Sequence, residues 1–80
     1  MEVKVLGTGC ARCKRLEQAT RQAVAELGIE VNVTKVTDMD DILSYGVVAT
    51  PALVIDEQLV SSGRLPSKAE VTSLITSALM

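Results

Sequence analysis

Histidine does not occur anywhere in the 80 residues. Its absence removes Ser–His and Cys–His nucleophile systems and every imidazole-ligated metal site. Tryptophan and phenylalanine are missing too, and Tyr45 is the single aromatic side chain. A core must then be built from Val, Leu, Ile and Ala, which suits a compact sheet covered by helices. No apolar run reaches the length of a bilayer span. The first residues have neither the apolar segment nor the cleavage site of a secretory signal, so a cytoplasmic protein with no membrane partner is expected. A net charge of −2 lends no support to a nucleic-acid partner.

Hydrophobic residues make up 48 % of the chain, enough for one core at this length, and residues 1–80 are expected to form one domain, a monomer. Both cysteines stand close together, in Gly7-Thr8-Gly9-Cys10-Ala11-Arg12-Cys13-Lys14. In a reducing compartment such a C-x-x-C pair points to catalysis or metal binding rather than to a structural staple.

The surrounding pattern places that pair at a strand-to-helix junction. Residues 2–6 read as a short strand, and Gly9 allows a tight turn before a helix that runs from about Cys10 to Leu27 and stops at Gly28. Leu16, Ala19, Ala23 and Leu27 form its apolar stripe, with Thr20 and Val24 alongside. On a helical wheel Cys13 lies about 50° from the centre of that stripe and Cys10 about 110° away, which makes Cys13 the shielded sulfur and Cys10 the exposed one. A thiol at a helix start meets unpaired N–H groups and the positive end of the dipole. Arg12, Lys14 and Arg15 add positive charge that favours thiolate.

Residues 29–36 alternate apolar and polar, as in an edge strand with one wet face, and strand, helix and strand in succession predict a parallel βαβ unit. Thr37 or Asp38 can cap a short second helix with Met39, Ile42 and Leu43 turned inward, ended by Gly46. Residues 52–55 are continuously apolar, as expected of a strand buried on both faces. Asp56-Glu57 then reads as a two-residue hairpin turn, with a return strand over residues 58–61 and a break at Ser62-Gly63. Ser67-x-x-Glu70 is a capping box opening a last helix with Val71, Leu74, Ile75 and Ala78 on its apolar face. The predicted order is β-α-β-α-β-β-α, an α/β fold.

By itself C-x-x-C is shared by redox proteins, soft-metal carriers and half zinc sites. Zinc wants four ligands and two sulfurs supply only half, so a zinc site would need a dimer. A thiolate binder of Cu(I)-type soft metal or metalloid ions fits the first thirty-odd residues, but such a domain would continue into a hairpin where residues 38–45 read as a helix. A dinucleotide fingerprint starting at Gly7-x-Gly9 would need a small residue where Arg12 stands. A docking domain with a dormant cysteine pair is a third class of reading.

The second informative segment is Gly46-Val47-Val48-Ala49-Thr50-Pro51. If residues 52–55 run antiparallel to residues 2–6, Pro51 and Gly7 share one end of the sheet. Thr50-Pro51 then lies beside the cysteine motif, where proline removes one backbone donor and Thr50 can pair with an extended partner chain.

Three segments together, residues 5–13, residues 46–55 and Ser62-Gly63, resemble the thioredoxin superfamily, and within it the minimal thioredoxin-like redox-active disulfide proteins of archaea and bacteria. The resemblance implies a four-stranded mixed sheet flanked by three helices, a cis bond at Thr50-Pro51, and a redox-active disulfide between Cys10 and Cys13. It implies further that Cys10 attacks, Cys13 resolves and Pro51 flanks the substrate, with Gly9, Ala11, Arg12, Thr50 and Gly63 shaping the site. The implied function is a thiol–disulfide oxidoreductase that needs no bound cofactor or metal. Its partners would be protein disulfides and an electron-donating reductase or small thiol. The chain departs from typical thioredoxins at Gly9, where they carry Trp, and at Ala11-Arg12, where they carry Gly-Pro. Lys4 stands where they carry a buried Asp that assists proton transfer. The Pro-Tyr pair usual between the cysteines of glutaredoxins is missing as well.

Overall fold

The computed structural model describes residues 1–9 and 11–79. Its elements follow the order β1 (Glu2–Leu6), α1 (Ala11–Leu27), β2 (Asn32–Val36), α2 (Met39–Ser44), β3 (Ala52–Ile55), β4 (Gln58–Ser62) and α3 (Lys68–Leu79). The four strands form one mixed sheet in the order β2-β1-β3-β4. β1 runs parallel to β2 and antiparallel to β3, and β3 is antiparallel to β4. The expected start of the first helix, Cys10, lies outside the described residues.

Strand alternation divides the interior in two. Val3 and Val5 of β1, with Leu53 and Ile55 of β3, pack on Leu16, Ala23, Val71 and Ile75 of α1 and α3. Leu6, Ala52 and Val54 point to the opposite face, where they meet Ile42 of α2 and Val47. β3 is buried at all four positions because it lies between two paired strands and between both helical layers.

Three expectations change. β2 starts at Asn32 rather than residue 29; it pairs only over the length of β1, and Ile29 and Val31 pack against the α1–α3 core as part of the approach to it. Met39 and Leu43 do not face inward: they are 51 % and 56 % exposed. A helix of six residues touches the sheet with one turn, and Ile42 fills that contact while Tyr45 and Val47 pack beside it. Ala78 is exposed rather than part of the α3 face, since the buried residues of that helix end at Ile75.

Caps and turns follow the local chemistry. The Asp38 carboxylate accepts from Asp40 N–H at 2.8 Å and Asp41 N–H at 3.3 Å, satisfying two orphan donors of α2. Ser67 Oγ accepts from Glu70 N–H at 3.2 Å, whereas the Glu70 carboxylate pairs with Arg64 instead of closing the box. Asp56 and Glu57 both adopt positive φ, 47° and 69°, as the tight hairpin turn demands. Neither is glycine, and the turn is held onto β1 by exchange between Asp56 and Glu2: Asp56 N–H donates to Glu2 C=O, and Glu2 N–H donates to the Asp56 carboxylate, each at 2.8 Å.

Candidate active site

The sheet topology decides what meets the cysteine motif. Because β3 is antiparallel to β1, with Leu6 opposite Ala52, the end of β1 and the start of β3 lie together. Gly7 follows β1 directly, and Thr50 and Pro51 directly precede β3. Cys13, in the first turn of α1, is buried at 5 % exposure on the same stripe as Leu16, Thr20 and Ala23.

Gly7 lies against Cys13, a contact that the sequence pattern does not indicate. A methyl group on its Cα would overlap Cys13 Sγ, lie 3.0 Å from Cys13 Cβ and sit 4.0 Å from Thr50 Cβ. The backbone at Gly7 thus forms the wall against which Cys13 rests. Its N–H donates to Val36 C=O at 3.0 Å, which fixes that wall to β2. Read along the chain, Gly7 marks only the end of a strand; the signal that raises its importance is its six-residue distance from Cys13 across a strand-to-helix turn.

The remaining positions fall on two sides. Gly9 adopts φ of 92°, and Ala11 and Arg12 are exposed on α1. Cys10 lies outside the described residues. On the other side the Thr50–Pro51 bond is cis, Pro51 is buried, and Thr50 is half-buried. Gly63 N–H donates to Pro51 C=O at 3.0 Å. Gly63 has φ of 76°, and a Cβ there would stand 3.1 Å from Ala49 Cβ, so the end of β4 is pressed onto the loop before β3. That loop is rooted by buried Val47 and carries Val48 outward at 96 % exposure.

Lys4, where typical thioredoxins carry an acid, is half-buried on the α2 face and is held from two directions. Its ammonium donates to Tyr45 Oη at 2.6 Å and to the Glu57 carboxylate at 2.5 Å, and Tyr45 Oη–H donates to the other Glu57 oxygen at 2.9 Å. The ring of Tyr45 lies 5.3 Å from the same ammonium. The Glu57 carboxylate, then the Tyr45 hydroxyl, raise the Lys4 pKa well above its ordinary value. In return the Lys4 ammonium, then the Tyr45 hydroxyl, hold Glu57 below the usual carboxylate range. One network therefore ties β1, the end of α2 and the β3–β4 turn.

Among the described residues no three side chains of the His, Cys, Asp and Glu types gather as a metal site, and no helix is long and apolar enough to cross a membrane.

Comparison with known proteins agrees with this architecture. The family described as thioredoxin domain matches residues 1–76. A protein named thioredoxin from Methanothermobacter thermautotrophicus is 42 % identical over 76 residues, covering 95 % of this chain and 99 % of the relative. Another of that name from Methanocaldococcus jannaschii is 35 % identical over 77 residues, covering 96 % of this chain and 88 % of the relative. The match runs from β1 into α3 and takes in every strand, and on that ground the chain belongs to the thioredoxin family, whose members are redox proteins.

Proposed function

We propose that the chain is a thiol–disulfide oxidoreductase that exchanges the Cys10–Cys13 dithiol with disulfides in other proteins. The observation that supports the reading is that Gly7, at the end of β1, lies against buried Cys13 on one side and close to Thr50 on the other. A resolving thiol has to be shielded from solvent, and the burial of Cys13 supports that role.

The chemistry runs in two displacements. Cys10 thiolate attacks one sulfur of the target disulfide, forming a mixed disulfide while the other target sulfur leaves as a thiolate. Cys13, deprotonated, then attacks the Cys10 sulfur, closing the Cys10–Cys13 disulfide and releasing the second target sulfur. Two electrons pass to the target. A partner reductase or a small thiol returns them, and no bound cofactor is required. Arg12 favours the thiolate of Cys10 electrostatically. Gly9 and Ala11, small residues on either side of Cys10 in the sequence, add no bulky side chain next to it. Thr50 presents backbone groups to an extended target, with Pro51 and Gly63 holding that segment in place.

The test is a trap. Cys13→Ser should accumulate a mixed disulfide on Cys10 with a disulfide-containing target such as insulin, identified by mass spectrometry, and Cys10→Ser should not. Trapping on Cys13 in the Cys10→Ser variant would reverse the two roles. Failure of the unsubstituted chain to reduce any protein disulfide would end the reading.

A further inference from the structure

The cations of this chain are not distributed evenly between paired and unpaired. Eight Lys and Arg residues are present. Lys4 pairs with Glu57, Arg21 and Lys35 with Glu17, Arg64 with Glu70, and Lys68 with Glu26. The three that form no ion pair among the described residues are Arg12, Lys14 and Arg15. All are exposed, and all lie in the first turns of α1, within five positions of Cys10. An acidic chain that neutralises its other cations internally thus leaves, among the described residues, three unpaired, exposed cations in the first turns of α1, close in sequence to the redox motif.

The rim is also polarised. β1 and β2 are parallel, so α1 and α2 start from the same end of the sheet. They lie on opposite faces, α1 with Leu16 and Ala23 in one core and α2 with Ile42 in the other. The exposed acids Asp38, Asp40 and Asp41 begin α2. The approach to the site therefore carries cations on one side of the sheet and carboxylates on the other, a separation that orients a charged partner as well as attracting it.

We infer that Arg12, Lys14 and Arg15 form a docking surface for protein disulfides flanked by carboxylates. The inference rests on the proposed function and adds the class of target. Charged side chains of this kind act chiefly on the rate of encounter, and salt screens them, with a Debye length of about 10 Å at 0.1 M ionic strength.

The experiment is a single turnover of the pre-reduced full chain with three disulfide peptides of one length, whose cystine is flanked by Glu, Gln or Lys. In each, two electrons leave the Cys10–Cys13 dithiol, one protein disulfide forms and one peptide disulfide becomes two thiols, so no external donor enters. The readout is the ratio of rate constants for the Glu and Lys peptides. Because both react with the same thiolate, a change in the ionisation of Cys10 cancels in that ratio. At low ionic strength the ratio should be on the order of tenfold, and it should approach one at about 0.5 M salt. In Lys14→Gln/Arg15→Gln it should fall to about twofold, and in Lys14→Glu/Arg15→Glu it should invert. A ratio near one in the unsubstituted chain, with the Gln peptide reduced normally, overturns the docking surface and leaves the proposed function standing. Reduction of none of the three peptides overturns both.

Discussion

Gly7 and Cys13 are packed without room for a methyl group between them, although one ends a strand and the other sits inside the next helix. A methyl group at Gly7 would displace Cys13. The contact sets the depth at which the Cys13 sulfur lies, and it gives the first prediction. Gly7→Ala should destabilise the fold by about 1–3 kcal/mol, the usual cost of overpacking, and should slow closure of the intramolecular disulfide. Urea unfolding reads the first effect and persistence of a mixed disulfide the second. Gly9→Ala separates space from backbone: it meets nothing within 4 Å but must hold φ near 92°, so it should cost about 1–2 kcal/mol. Equal closure kinetics in Gly7→Ala and the unsubstituted chain would show that the wall has no bearing on Cys13.

Gly63 combines both constraints. Its φ is positive, and its Cβ would approach Ala49 Cβ at 3.1 Å. Gly63→Ala should cost about 1–3 kcal/mol and lower the rate of exchange with a protein disulfide, because the N–H bond to Pro51 C=O must shift with the backbone. A rate unchanged alongside lost stability would confine Gly63 to a structural role.

The Lys4–Tyr45–Glu57 network predicts a pH signature. Glu57 titrates below its ordinary value of 4.5 when folded, so its contribution to stability is complete above that value and disappears as pH falls through the lower, folded pKa. Lys4 titrates above its ordinary 10.5, so its contribution is complete below that value and is lost only in strong alkali. The gap in urea midpoint between the unsubstituted chain and Glu57→Gln should therefore be constant from about pH 6 to pH 9 and close in acid. A gap that persists undiminished at pH 2 would contradict the ionic origin.

On the α2 face, Asp38→Ala removes the acceptor of two helix N–H groups and should cost about 1 kcal/mol. Ile42→Ala removes the one buried side chain of that helix and should cost about 2–5 kcal/mol. If Met39→Ala, at an exposed position, costs as much as Ile42→Ala, the assignment of the inward face is mistaken.

Much of this fold is readable because its signals are local. The unbroken apolar run of β3 and the stripe of α1 each report burial locally. The wheel that puts Cys13 near Leu16 works because a 17-residue helix presents a long, regular face. Signals fail where partners come from distant segments. Met39 and Leu43 look inward on a wheel, but a six-residue helix contacts the sheet along too short a line for the wheel to apply. The partners of Lys4 leave no trace in the pattern, since Tyr45 and Glu57 are 41 and 53 positions away. Gly7 reads as punctuation because a missing side chain carries no pattern. Its meaning comes from Cys13 arriving against it.

The division of the interior into two clusters has a consequence for how the molecule opens. The α1–α3 layer joins residues of two helices and two strands into one large core, while the α2 layer rests on Leu6, Ile42, Val47, Ala52 and Val54. Subglobal opening follows the smaller set of buried contacts, so amides of α2 should exchange with solvent before those of β1 and α1. Cys13 lies on α1 beside Leu16 and Ala23 of the larger core. The segment leading to Pro51 hangs from Val47 in the smaller one. The segment leading to Pro51 should therefore exchange sooner than Cys13, and hydrogen exchange that is equally slow in both would contradict a division of the interior into unequal units.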